Sequence, residues 1–381
     1  MKIVIAPDSF KGSLSAPEAA EAIRRGLAQV WPEADYCLFP VADGGEGTVE
    51  ILVDLSGGDL RPEKVQDPLG RTVEAFWGLL GDGRTAVVET AAAAGLTRLE
   101  NAERDPAVTS TFGLGQLIKK ALARPAVERL LIGLGGSATN DGGVGMLSAL
   151  GARFLDSSGR PIPPGGLGLL ELAEIDLSGL DPRLKEVSLI VVGDVQNSLT
   201  GPEGASAVFG PQKGAGPDLV RRLDEALSHY ARLATRATGR QAAARPGAGA
   251  AGGLGAAFLF FTEAEFRPGG QLVLEEGAFR QKAAGADLIV TGEGQSDYQT
   301  ACGKAPVGVA ALGHELGIPT VLLSGALGQG YQDLYRHHIA GMMSLAPGPL
   351  DLDRAMAEAP QLLEEAAVRL ARLLSIQIKH K

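Results

Sequence analysis

Short apolar runs that break at once into glycine and charged residues recur along this chain, and they constrain its fold more than any other feature. The clearest is Asp-Leu-Ile-Val-Thr at 287–291, which runs into Gly292-Glu-Gly-Gln-Ser-Asp-Tyr-Gln-Thr-Ala-Cys-Gly-Lys304. A buried strand opening into such a loop is how α/β folds present backbone amides and charge to a ligand. Glycine lets an anion approach the backbone, a carboxylate can hold Mg²⁺, and a lysine neutralises phosphate oxygens. The same plan recurs at 2–6 ahead of Asp8-Ser-Phe-Lys-Gly-Ser-Leu14, and at 36–39 ahead of Val41-Ala-Asp-Gly-Gly-Glu46. It returns at 128–132 ahead of Gly133-Leu-Gly-Gly-Ser-Ala-Thr-Asn-Asp-Gly-Gly143, and at 188–192 ahead of Gly193-Asp-Val-Gln-Asn197.

Glycine supplies 53 of the 381 residues, roughly twice ordinary usage. Because it clusters between apolar segments, it marks tight turns and ligand loops rather than low complexity. The balance of 35 basic and 45 acidic side chains gives a net charge of -10. That argues against a nucleic-acid binder, whose affinity would rest on Lys and Arg neutralising phosphates. Cys37 and Cys302 stand far apart, so no disulfide framework is expected, and a reducing cytoplasm is. The first apolar run is too short for a secretory segment, since Asp8 and Lys11 follow it directly. The uncharged stretch 246–262 holds five glycines and is shorter than a bilayer span. A chain of this length is expected to form two domains.

Ser15-Ala-Pro-Glu18 is a capping box with proline in the first helical turn, and Ala20, Ile23, Leu27 and Val30 recur at helical spacing. A second helix is expected through Ile51 and Leu52. Asp67-Pro-Leu-Gly70 and Gly81-Asp-Gly83 are turn signals around the alternating Val73, Ala75 and Trp77, which predicts antiparallel hairpins. After residue 286 the strand–loop–helix rhythm returns, with strands expected at 288–291, 320–323 and 341–345. A final helix after Pro360 places Leu362, Leu363, Ala366, Leu370 and Leu373 on one face and pairs Glu365 with Arg369 on the other. Similar rhythm at both ends predicts one discontinuous domain, 1–64 with 286–381, and an inserted domain at 65–285.

Gly133-x-Gly-x-x-Ala138 matches the dinucleotide fingerprint, with Asp156 about where a ribose-binding acid would stand. An NAD(P)-dependent oxidoreductase is therefore one reading, and a structural glycine turn is another. Against the first, Thr139-Asn-Asp-Gly-Gly143 intervenes where a helix should begin. Asp141 would also repel a pyrophosphate unless Mg²⁺ lay between them. Asp43 and Glu46 either face a ligand or cap the helix that follows. Lys11 is either a solvated lysine or a ligand group, its place past a strand end favouring the second. Asp194 and Asn197 could hold a metal or a hydroxylated substrate, or form an Asx-turn. Lys213 lies beside glycine in Pro211-Gln-Lys-Gly-Ala215. There is no P-loop and no Gly-x-Ser-x-Gly, and the five histidines lack zinc-ligand spacing. What remains is acids, lysines and glycine amides, a set suited to Mg-dependent phosphoryl transfer.

At these residues the sequence resembles the bacterial glycerate kinase family. The matching stretches are Ala6-Pro-Asp-Ser-Phe-Lys-Gly-Ser-Leu-Ser15, Ala42-Asp-Gly-Gly-Glu-Gly-Thr48 and Gly135-Gly-Ser-Ala-Thr-Asn-Asp-Gly-Gly143. Val208-Phe-Gly-Pro-Gln-Lys-Gly-Ala215, Gly249-Ala-Ala-Gly-Gly-Leu-Gly255 and Thr291-Gly-Glu-Gly-Gln295, with Gln299-Thr300 and Gly303-Lys304, complete the set. Ser198 departs from the family pattern, where proline is expected. The resemblance implies phosphorylation of D-glycerate by ATP with Mg²⁺, to 2-phosphoglycerate in preference to 3-phosphoglycerate. It implies two α/β domains, one Rossmann- or flavodoxin-like with a parallel sheet and the inserted one with a mixed sheet, the site lying in the cleft between them. From the loops themselves, Asp194 and Glu293 are expected near Mg²⁺ and, with Lys11 and Lys304, in catalysis. Ser9, Asp43, Glu46, Gly135, Gly136, Ser137, Asn140, Asp141, Asn197, Lys213, Gly292, Gly294 and Asp297 are expected to bind substrate or nucleotide.

Overall fold

The computed structural model describes residues 1–301 and 303–376, so Cys302 lies outside the described residues. Contacts divide the chain into two compact units, Met1–Asp43 with Gly270–Lys381, and Gly44–Gly269. Strands β1 (Lys2–Pro7) and β2 (Asp35–Leu38) open the first unit. The second unit then supplies β3 (Asp59–Gln66), β4 (Thr72–Leu79), β5 (Thr85–Glu89), β6 (Arg129–Gly133) and β7 (Arg153–Leu155). It continues with β8 (Glu174–Asp176), β9 (Ser188–Val192) and β10 (Glu265–Arg267). The chain returns to the first unit with β11 (Leu288–Ser296), β12 (Thr320–Leu327) and β13 (Ile339–Ser344).

The first unit is a parallel sheet in the order β13-β12-β11-β1-β2. Ile3, Val4, Ile5, Ile289 and Val290 are fully buried, as continuous apolar runs in a sheet covered on both faces must be. The helix Ala16–Ala28 starts at the capping box expected from Ser15 and Glu18, whose side chains satisfy each other's backbone amides. It buries Ile23 and Leu27 in one cluster with Leu363, Ala366 and Leu370 of the helix Ala359–Leu374. Two expectations for that last helix fail. Leu373 is 56% exposed, because it lies in the final turn past the packed face. Arg369 donates to the Leu345 carbonyl, while Glu364 rather than Glu365 takes up an ion pair, with Arg25. Counted within the unit, the strand order is the flavodoxin-like 2-1-3-4-5. Its direction reverses between β1 and β11, the place where open α/β sheets bind ligands outside their carboxyl ends.

The second unit is a mixed sheet, β10-β9-β6-β5-β4-β3, in which β3–β4 and β4–β5 are antiparallel and the rest parallel. The first predicted turn forms as expected, with Asp67 Oδ1 accepting from the Leu69 and Arg71 amides. β3 pairs with β4 along its whole length, from Asp59 to Gln66. A border at 64/65 would therefore cut a hairpin strand, and the observed border falls at Asp43/Gly44. At the other end the first unit reclaims residues from 270 on, where Phe279 packs edge-on against Phe39 at 4.9 Å. β11 also runs on to Ser296 through residues expected as loop, since Gln295 and Ser296 pair with Ala326 and Leu327 of β12. Among the described residues no helix is long and apolar enough to cross a membrane.

Candidate active site

The parallel register of β1 and β11 builds the rim of the first unit. Pro7 stands opposite Gly292, and the Asp8 amide donates to the Gly292 carbonyl at 2.8 Å. The residue after each of these is an acid, and both acids are buried: Asp8 is 8% and Glu293 5% exposed. Asp8 Oδ1 accepts from the Ser9 amide at 2.6 Å. Glu293 Oε1 accepts from the hydroxyls of Ser296 at 2.7 Å and Thr300 at 2.8 Å. Its other oxygen, Oε2, takes no hydrogen bond from a described residue. Burial, and then the nearby Asp43 charge, push the Asp8 carboxyl up to about 7, with Lys11 acting the other way. Burial likewise raises Glu293, opposed by its two hydroxyl partners and by the charge of Lys304.

Lys11 forms an ion pair with Asp43 at 3.4 Å while its side chain stays 81% exposed. The Asp43 charge raises its pKa above the ordinary lysine value. Lys304 occupies the N-cap position of the helix Ala305–Glu315 in extended backbone. Asp297 holds the intervening turn, accepting from Gln295 Nε2 and from the Gln299 amide, each at 2.8 Å. Gly292 and Gly294 lie within β11, against Phe10 and Lys11 of the loop after β1. The rim thus gathers Asp8, Ser9, Lys11, Asp43, Glu293 and, through its field, Lys304.

In the second unit the loop after β6 is built around a turn at Gly135 and Gly136. A Cβ on Gly135 would lie 2.4 Å from the Gly45 Cα, so only glycine fits where the Gly135 amide donates to the Gly44 carbonyl. Gly136 has φ 73°, which also favours glycine. The amides of Gly136 and Ser137 donate to no described residue, and Gly136 is exposed. Beneath the turn lies a polar frame. Lys213 is 2% exposed, and its ammonium donates to Ser137 Oγ at 2.9 Å and the Thr139 carbonyl at 2.6 Å. Burial pushes its pKa down to about 7. Asp141 is 1% exposed, its Oδ2 accepting from the amide and hydroxyl of Thr111, both at 2.8 Å, and from the Gly145 amide. Asn140 donates to Ser206 Oγ at 3.0 Å. The polar groups of Lys213 and Asp141 are taken up inside this unit, where they shape the loop, while the buried Oδ1 of Asn140 has no hydrogen-bond partner among the described residues.

The dinucleotide reading loses its structural basis here. The helix after β6 begins only at Val144, beyond the intervening Thr139–Gly143 stretch. Asp156 accepts from Ser158 and Arg160 and so closes a turn. Asp194 follows β9 and accepts from the Gly269 amide at 3.1 Å, and Asn197 donates to the Glu203 carbonyl at 2.8 Å. The helix Thr48–Ser56 has Gly47 at its N-cap, a residue with no side chain to cap it. Glu89, unmarked by the motifs, does so from β5. Asp8 was missed as well. In both cases the available signal was a single acid ending an apolar run, at Ile-Ala-Pro-Asp8 and Val-Val-Glu89.

The first unit carries acids, lysines and glycines at its strand ends, a set suited to phosphoryl transfer, and comparison with known proteins identifies the family. The glycerate kinase family model matches residues 3–375. A glycerate kinase of Bacillus subtilis (strain 168) is 50% identical over 376 residues, covering 99% of this chain and 98% of the relative. The glycerate 2-kinase of Escherichia coli (strain K12) is 44% identical over 380 residues, covering 100% of each. A crystal structure provisionally assigned as glycerate kinase 2, from Salmonella typhimurium LT2, superposes with a TM-score of 0.83 at 47% identity over 98% of each chain. The chain belongs to the glycerate kinase family.

Proposed function

We propose that this chain transfers the terminal phosphoryl group of ATP to the 2-hydroxyl of D-glycerate, with Mg²⁺, giving 2-phosphoglycerate. The observation that carries the reading is the pair of buried carboxyls, Asp8 and Glu293, set beside Lys11 and Lys304 where the strand order reverses between β1 and β11. Family membership supports glycerate as the acceptor, and the name of the Escherichia coli relative supports the 2-position.

Among the described residues no three acidic, His or Cys side chains gather to hold a metal by themselves. Mg²⁺ bound with nucleotide phosphates does not need such a cage, since one or two carboxylates and several waters suffice. Glu293 fits that role, because Oε2 is a hard oxygen left over after Ser296 and Thr300 have fixed Oε1. Bound Mg²⁺ supplies charge neutralisation on the phosphates. Asp8 accepts the proton of the attacking hydroxyl, a task for which a carboxyl poised near neutral pH is well matched. Lys11 exchanges its Asp43 partner for an anionic oxygen of the substrate, and Lys304 offsets charge on the phosphoryl group. The Gly136 and Ser137 amides of the second unit, which donate to no described residue, are donors suited to an anionic oxygen.

Phosphorus NMR of the product made from D-glycerate and MgATP tests this directly. The signal should coincide with authentic 2-phosphoglycerate. A signal matching 3-phosphoglycerate would overturn the position of transfer, and the absence of any new phosphomonoester would overturn the reaction.

A further inference from the structure

Glu89 ends β5 with only 2% of its surface exposed, and the charged groups acting on it, Glu50 and Glu46, are both acidic. A carboxyl buried among like charges costs stability, so its presence calls for a task. Its oxygens accept from two amides, Oε1 from Gly47 at 3.4 Å and Oε2 from Val49 at 3.3 Å. These are the otherwise uncapped amides that open the helix Thr48–Ser56. Glu89 is also in register with Gly133, and the hydroxyl of Thr90 donates to the Gly133 carbonyl at 2.8 Å. A Cβ on Gly133 would lie 3.4 Å from the Glu89 Cβ and 2.6 Å from the Gly44 carbonyl oxygen, which itself accepts from Gly135. The 44–47 loop and the 133–136 loop therefore meet beside one side chain.

We propose that Glu89 is a positioning residue for phosphoryl transfer: by clamping the Gly47 and Val49 amides it sets the 44–47 loop against Gly135, and so aims the amides of Gly136 and Ser137. The kinetic part of this inference rests on the function proposed above; the structural part does not. Burial, then the Glu50 charge, push the Glu89 carboxyl from 4.5 up to about 8. With its folded pKa above the unfolded one, the native chain holds the extra proton, so this group lowers stability as pH rises from about 4.5 to about 8. Glutamine in its place removes that penalty, yet it must turn its NH₂ towards one of the two backbone donors.

Glu89→Gln and Glu89→Asp test the idea by amide hydrogen exchange, thermal melts against pH, and kinetics. Glu89→Gln should keep its fold, match or exceed the wild-type Tm at pH 8.5, and lose the fall in Tm that Glu89 contributes between pH 5 and 8. Exchange at Gly47 and Val49 should quicken about tenfold or more in both variants, and kcat should fall at least tenfold in Glu89→Gln. Glu89→Asp, one methylene short but still an acceptor, should recover part of that loss and covers the case in which the glutamine variant does not fold. Unchanged exchange at the two amides would overturn the inference, as would wild-type kcat or a loss of activity that only tracks a loss of Tm. Failure of the wild type to turn over glycerate would instead remove the proposed function and leave the exchange result to decide on the clamp.

Discussion

Asp8→Asn should lower kcat by about 10²- to 10⁴-fold, the range expected when a general base is removed. The substitution preserves shape and can still accept the Ser9 amide through its carbonyl oxygen. It also removes a charge held among Asp43 and Glu293, so the melting temperature should hold or rise. Because the Asp8 carboxyl is pushed up to about 7, it becomes a competent base only as pH rises through that value. The wild-type kcat/KM should accordingly climb towards a plateau with an apparent pKa near 7, and this limb should vanish in the variant. A variant that keeps both the limb and more than about a tenth of kcat would assign the base elsewhere.

Lys11→Met and Lys304→Met should each lower kcat more than tenfold, about 1.4 kcal/mol of barrier or above. Transfer from ATP to an organic acid brings several anions together, and fixed cations stabilise the charge of the transition state more than that of the bound reactants. Stability should scarcely respond. The Lys11–Asp43 pair is open to solvent on the lysine side, and such pairs contribute little. If both were ordinary surface lysines, activity would be unaffected and stability would change by under about half a kcal/mol. An effect confined to KM for glycerate would recast Lys11 as an anchor for the substrate carboxylate, and a fully active double variant would remove both lysines from the mechanism.

Much of the fold was legible because local rules and burial agree. Ser15, Pro17 and Glu18 fixed a helix start, and the apolar runs of β1, β6, β9 and β11 could only be buried strands. The borders between units were not legible, since β3 carries Arg61, Glu63 and Lys64 and only its pairing with β4 shows where it belongs. The length of β11 was hidden for a related reason. Gly292 and Gly294 look like loop, yet in a strand they permit close approach of the β1 loop and β12.

The site divides in the same way. The loops after β1 and β11 were found from composition, and their convergence follows from parallel pairing. Polar residues of the loop after β6 were harder to interpret, because the sequence does not distinguish a lysine facing a phosphate from one like Lys213, bonded beneath the turn. Asp8 and Glu89 escaped notice because their importance lies in burial among like charges, a property of the folded chain.

The central claim is that the β1–β11 rim performs Mg-dependent transfer from ATP to glycerate. Coupled measurement of ADP release tests it most directly, run on wild type and Glu293→Gln with D-glycerate and ATP, with and without Mg²⁺. The account predicts ADP formation by the wild type only when glycerate and Mg²⁺ are both present, and a loss of at least tenfold in kcat for Glu293→Gln at unchanged Tm. Turnover that ignores glycerate or Mg²⁺, or a Glu293→Gln variant as fast as wild type, would contradict it.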